Sequence, residues 1–279
     1  MDGQAETWCE TTLNYSEPEV EEASPVEVTI LDGRAAPGLD FEQCGFRLVE
    51  HHSNMDDWRD EAELVRVHTP EIAKLAKEFS RADRVIVYPP IIRCPQSAVR
   101  VEDHAPIQYV HSDFTDDFRA MLQEPERPYR AFIEPLLAAQ GLAQADVARA
   151  TRVLMLQFWR NIGDEWPDCP LAVCDARDVP RAQLHAFRVP EYGGVRLEFE
   201  TFGVRPPADA ARHHWYTWPG MTRDEVLVFR TYDSRCVEQG RAFWTPHSAF
   251  QDPTAGTDAP QRESVEMRAL CLFGVRGST

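Results

Sequence analysis

None of the seven cysteines in this chain of 279 residues belongs to a Cys-x-x-Cys pair, and their number is odd, so neither a disulfide framework nor a zinc ribbon is indicated. Long apolar runs are missing too. No stretch approaches the ~20 residues of a membrane-spanning helix, and the first residues, with Asp2, Glu6 and Glu10, lack the basic and apolar regions of a secretory leader. The cytoplasm is therefore the expected compartment. Positive charge is scarce: 29 Lys and Arg stand against 46 Asp and Glu, a formal charge of −17 with no basic run to interrupt it. Such a surface repels nucleic-acid phosphates and anionic lipid, so neither nucleic acid nor a membrane is an expected partner. Small organic molecules remain as the natural substrate class. There is no internal repeat and no low-complexity tract.

What is present is an ordinary globular composition, 43% hydrophobic and 27% charged, in a chain long enough for one folded unit over 1–279. The acidic residues 1–25, poor in periodicity, read as an extended or loosely attached N-terminal arm. Thr69-Pro70-Glu71 starts a helix, with Ile72, Leu75, Ala76 and Phe79 on one face. Arg84 to Tyr88 reads as a buried strand, and Ile107 to Val110 as an extended run leading into His111. Helical spacing returns from Thr115 to about Ala150, broken at Pro125 and Pro128. From Arg152 onward strands dominate: Val153 to Leu156, the alternation Val195, Leu197, Phe199, then Val226 to Tyr232, Ala242 to Thr245, and a long last strand from Ser264 to Val275. Helices early and strands late predict a mainly β fold with flanking helices, a double-stranded β-helix or cupin-like jelly roll.

The chemistry concentrates in three short elements. His111-Ser112-Asp113 stands at a strand end, His247 follows a proline far downstream, and Arg262-Glu263-Ser264 comes fifteen residues later. With nine histidines and 46 acidic residues, one His-x-Asp is an ordinary coincidence. At the end of a strand, however, residues two apart point to one face. Two imidazoles and one carboxylate can then occupy one face of an octahedral iron(II), leaving positions for a chelating co-substrate and O2. Arg262 and Ser264 put a guanidinium fork and a hydroxyl on one face of the last strand, suited to bidentate capture of a distal carboxylate such as that of 2-oxoglutarate. Arg268, on the same face, is a competitor for that role. A jelly-roll protein that binds zinc or nickel through the same ligands, without catalysis, is the alternative these residues leave open.

Beyond the triad, the chain resembles the AsaB-like family of 2-oxoglutarate- and Fe(II)-dependent hydroxylases/desaturases of microbial secondary metabolism, which includes a cephalosporin 7α-methoxylation component and a gibberellin desaturase. The segments that carry the resemblance are 45–49, His111 to Thr115, Pro170 to Arg177, 224–229, Tyr232 to Arg235, Thr245 to Phe250 and Arg262 to Arg268. The stretches Pro170 to Arg177 and Thr245 to Phe250 are the specific ones. The resemblance implies iron held by His111, Asp113 and His247, 2-oxoglutarate held through Arg262 with Ser264, and O2 as oxidant. It implies hydroxylation, desaturation or cyclisation of a small molecule through an iron(IV)-oxo intermediate. The chain departs from the family where Gln157-Phe158-Trp159-Arg160-Asn161 replaces Asn-x-Trp-Arg-Pro and Arg230 replaces a lysine. Trp159, Tyr216, Trp218 and Phe243 are candidates for an apolar substrate wall, with Arg160 as its polar anchor.

Overall fold

In the computed structural model, which describes residues 5–18 and 20–275, two β-sheets face each other. The larger has eight strands in the spatial order β1 (Thr7–Glu17), β2 (Val20–Asp32), β11 (Trp215–Thr217), β8 (Leu171–Cys174), β13 (His247–Ala249), β6 (His111–Ser112), β10 (Val195–Val204) and β9 (Leu184–Tyr192). The smaller runs β3 (Phe46–Glu50), β12 (Glu225–Asp233), β7 (Arg152–Asn161), β14 (Ser264–Phe273) and β4 (Arg84–Val87), with β5 (Ile91–Arg93) also paired to β14. Antiparallel pairing joins these strands except at β2 and β11, which run parallel. The result is the jelly roll that the strand-rich second half predicts. Among the described residues no helix is long and apolar enough to cross a membrane.

Alternation along β14 divides the work of the two faces. Val265, Met267, Ala269 and Cys271 are buried outward in a cluster with Ile72 and Ala76 of the helix Thr69–Ser80. That helix forms where expected, with Pro70 in its first turn, where a missing N–H costs nothing. The inward face changes character along its length. Leu270 and Leu272 join Val153 and Met155 of β7 in the core between the sheets, whereas Ser264, Glu266 and Arg268 are polar and mostly buried. One half of the interior is thus a packed core and the other a polar chamber.

Three expectations need correction. The N-terminal arm is extended but not loose: β1 and β2 pair as a hairpin along the edge of the larger sheet, burying Leu13, Tyr15, Val28 and Ile30. Residues 1–4 and 19 of that arm lie outside the described residues. The run Ile107 to Val110 is irregular, with a bridge between Tyr109 and Asn14 and the Val110 N–H donated to the Asn14 carbonyl, so continuous strand pairing begins only at His111. Ala242 to Thr245 is likewise irregular, and Pro246, which has no N–H to give, delays the strand to His247.

Candidate metal centre

The two-residue strand β6 is wedged between β10 and β13, and its register sets His111 directly opposite His247. Cross-strand partners share a face, and the two rings lie 4.2 Å apart between centroids. Asp113, two residues beyond His111, falls on that face as well. The ligating atoms of His111, Asp113 and His247 lie within 4.8 Å of one another, and all three residues are buried. Among the described residues this is the one group of three or more His, Cys, Asp or Glu placed to share an ion.

Local hydrogen bonds fix how each ligand presents itself. His111 Nδ1 lies 2.9 Å from the Tyr109 carbonyl and His247 Nδ1 2.9 Å from the Thr245 carbonyl. A carbonyl can only accept, so Nδ1 carries the proton in both rings and each Nε2 keeps its lone pair for a metal. Burial, reinforced by the neighbouring His247, pushes the His111 pKa down to about 3, so that ring is neutral at physiological pH. For Asp113 burial acts in the upward direction, but the guanidinium of Arg268, then His247 and His111, outweigh it and hold the carboxyl well below the usual range. Arg268 reaches Asp113 through Nη2 at 3.0 Å and Nε at 3.4 Å.

Beside the triad is a small cavity whose wall also includes Leu171, Ala249, Arg262, Glu266 and Arg268. Arg262 is 4% exposed, and its Nη1 donates to the Cys169 carbonyl at 3.3 Å while its Nε has no partner. The fully buried hydroxyl of Ser264 has no partner either. Buried donors are nearly always satisfied in a folded protein. Two orphans two residues apart, Arg262 just before β14 and lining the cavity beside the triad and Ser264 at the strand's start, therefore fit an acceptor that binds there, and a carboxylate is the chemistry that matches a guanidinium and a hydroxyl. Of the two arginines that spacing alone leaves in competition, Arg268 is paired with Asp113 and Arg262 is not.

Comparison with known proteins agrees. A family model described as an oxidoreductase/YMDC permease-like domain matches residues 2–272. The hydroxylase/desaturase efuI of Hormonema carpetanum is 30% identical over 270 residues, covering 88% of this chain and 83% of its own. The chain belongs to the hydroxylase/desaturase family of Fe(II)/2-oxoglutarate-dependent dioxygenases. Another relative in this family, the Fe(II)/2-oxoglutarate-dependent dioxygenase nvfI of Aspergillus novofumigatus, is 26% identical over 97% of this chain and 98% of its own. The solved structure of the iron and alpha-ketoglutarate-dependent endoperoxidase NvfI shares the fold, with a TM-score of 0.74 at 24% identity over 97% of this chain and 99% of that one.

In this hydroxylase/desaturase the larger opening onto the triad is a cavity of about 560 Å³ lined by His111, Asp113 and Arg268 together with Tyr88, Phe114, Tyr129, Phe132, Tyr192, Leu197 and Phe199. The five substrate candidates lie elsewhere. Trp159 and Trp218 line a separate cavity of about 480 Å³ between the segments 165–171 and 252–260, which none of the triad residues touches. Tyr216 packs on Phe46, with ring centroids 5.6 Å apart. Phe243 sits in the core against Tyr232 and Trp244. Arg160 alternates with Trp159 to the opposite side of β7, where it donates to the carbonyls of His51 and Arg223 and lies over the Trp58 ring.

Sequence reasoning missed Glu266, Arg93 and Tyr192. Glu266 accepts from Arg93 and from Gln157 Nε2 at 3.1 Å. Arg93 also donates to the carbonyls of Asp103 and Ala105 and to the Tyr192 hydroxyl, each at 2.7 Å, tying the chamber to the loop over its mouth. The available signal was Glu266 itself, a carboxylate on the inward face of a buried strand, where an unpaired charge is untenable.

Proposed function

We propose that His111, Asp113 and His247 bind the iron(II), that Arg262 with Ser264 binds the far carboxylate of 2-oxoglutarate, and that a small-molecule secondary metabolite is hydroxylated, desaturated or cyclised in the cavity of about 560 Å³. The observation that carries this reading is the meeting of the triad and Arg262, whose Nε is unpartnered, on the walls of one chamber, with the unpartnered hydroxyl of Ser264 two residues further along the chain. When bound, the iron and the keto acid supply the oxidising power, O2 being spent in the decarboxylation of 2-oxoglutarate to succinate and in removing hydrogen from the substrate.

The chain's own residues do the rest. The carbonyls of Tyr109 and Thr245 hold the imidazoles in the ligating tautomer, and Arg268 keeps Asp113 ionised and aimed. The negative charge of Asp113 remains a ligand, which argues against halogenation, because that chemistry needs the carboxylate position freed for halide. Arg262 and Ser264 fix one end of the co-substrate, so its other end is delivered toward the triad in a limited set of orientations. The aromatic walls orient the substrate and exclude water from the reacting centre. All seven cysteines are buried and unpaired, in keeping with a reducing cytoplasmic location.

Anaerobic addition of iron(II) and then 2-oxoglutarate tests the reading. The oxygenase develops a visible metal-to-ligand charge-transfer band, and a protein that merely stores a metal does not.

A further inference from the structure

The triad accounts for the floor of the larger cavity but not for its walls. Those walls are rings and branched side chains: Tyr88, Phe114, Tyr129, Phe132, Leu197 and Phe199. Among the lining residues Arg268 is the only Lys or Arg, and its guanidinium is already engaged by Asp113 at 3.0 Å. The next nearest, Arg93, lies behind the wall with its donors spent on Glu266, two carbonyls and the Tyr192 hydroxyl. At the mouth stand Glu102, Asp103 and His104. Both carboxylates there belong to exposed residues.

An anion moving down this cavity would reach a carboxylate at Asp113 and find, among the chain's own lining residues, no free cation to replace its water. Burying a charge without a partner is strongly unfavourable. A cation fares little better: the deep walls offer only Asp113, already shared with Arg268, and the rim acids are screened by solvent. The neutral polar groups along the walls are mainly phenols, with Gln108 and Thr201 beside them. Tyr88 and Tyr129 are buried to 5% and 3% exposure, and the Tyr88 hydroxyl has no hydrogen-bond partner. Phenol hydroxyls can donate to or accept from an alcohol or a carbonyl oxygen.

We infer that the substrate is an uncharged, mainly hydrocarbon molecule carrying hydroxyl or carbonyl oxygen, taken up free rather than as a carboxylate, a phosphate ester or a thioester on a phosphopantetheine arm. The inference rests on the assignment of this cavity to the substrate. Its volume of about 560 Å³ suits an isoprenoid or polycyclic skeleton, within the ~300–1,000 Å³ of ordinary small-molecule sites.

Three probes of equal length separate the cases: farnesol, farnesoic acid and farnesylamine, titrated at pH 8 into the full chain and followed by tryptophan fluorescence. Farnesol should bind at least tenfold more tightly than either charged analogue. Leu197→Trp, which fills the cavity, should weaken farnesol at least tenfold. Glu102→Lys, at the exposed rim, should improve farnesoate several-fold and leave farnesol unchanged. Farnesoate or the amine binding as tightly as farnesol, an alcohol that does not bind up to its solubility limit, or farnesol indifferent to Leu197→Trp overturns the inference. The titrations run with and without anaerobic iron(II) and 2-oxoglutarate. Probe binding in the expected order without any charge-transfer band would remove the oxygenase reading and leave the ligand class standing.

Discussion

Replacing Arg262 by methionine should move two measurements in opposite directions. In the ligand-free chain the guanidinium is 4% exposed, holds one carbonyl at 3.3 Å and leaves its Nε unpartnered. Burial accordingly weakens its hold on the proton. A buried charge so poorly compensated costs a few kcal/mol, so methionine, of similar reach and no charge, should stabilise the ligand-free protein by about 1–2 kcal/mol. In a chain of this size that is a rise of roughly 2–8 °C in Tm. Binding of 2-oxoglutarate should suffer. Two hydrogen bonds from a charged donor to a carboxylate contribute about 1.5–3 kcal/mol each, so their loss should weaken Kd by ~100-fold or more. At a concentration of 100 Kd the co-substrate stabilises the native chain by ~2.7 kcal/mol, and at that same concentration the variant should gain only a few tenths. Thermal unfolding with iron(II), with and without 2-oxoglutarate and under argon, reads both effects. A variant that is less stable without ligand, yet keeps the full ligand-induced shift, would make Arg262 a structural ion and refute the assignment.

Three further perturbations complete the set. His247→Ala should weaken metal binding by more than ~100-fold, beyond what loss of an outer partner costs, and abolish turnover, as read by metal content after dialysis; full activity in that variant would end the proposal. Arg268→Met should give the converse of Arg262→Met, a ~10–100-fold loss of metal affinity from a less well-oriented Asp113, with 2-oxoglutarate affinity unchanged at saturating metal. If titrations instead show the keto acid lost and the metal retained, the roles of the two arginines are exchanged. The third concerns acid. His68 is 1% exposed, and burial, with the Arg160 charge adding to it, pushes its pKa down to about 4. The unfolded chain therefore takes up this proton first, near pH ~6.5, so the contribution is intact above that pH and is lost as pH falls toward about 4, by some 2–3 kcal/mol. Denaturant melts at pH 7.5 and 4.5 should show this loss shrinking in His68→Gln; an identical pH dependence in the variant would mean that the imidazole is not the group responsible.

The metal site was legible because its information is local. His-x-Asp at a strand end and an alternating last strand each place two side chains on a common face, and the two-residue period needs no knowledge of the rest of the fold. The cavity proposed for the substrate was not legible, because its walls come from distant segments around residues 88–91, 102–109, 114, 129–132 and 189–201 that only the folded topology assembles. Trp159 and Arg160 do not share one wall, for a simpler reason: neighbours in a strand face opposite sides, and Arg160 lies against Trp58. The N-terminal hairpin was hidden by its charge. Glu10, Glu17, Glu22 and Glu27 are exposed while Leu13 with Tyr15 and Val28 with Ile30 keep a period of two beneath them.

The inward side of β14 and the residues just before it explain why so much function rests on one strand. Side chains two apart along a strand stand ~6.6 Å from each other on one face. Arg262, Ser264, Glu266 and Arg268 therefore mark fixed intervals across the chamber, and each meets a different requirement. Arg262 and Ser264 are left with donors to spare. Glu266 neutralises Arg93, which in turn holds the mouth loop and Tyr192. Arg268 braces Asp113. A slip of one residue in the pairing of β14 with β7 would turn Ser264, Glu266 and Arg268 outward and bring the apolar set Val265, Met267, Ala269 inward. The hydrophobic demand of the helix Thr69–Ser80 on that outer set thus enforces the register on which the brace on Asp113, the placement of Ser264 and the tie to the mouth loop all depend. Weakening that outer packing should disturb the chemistry without touching a single ligand.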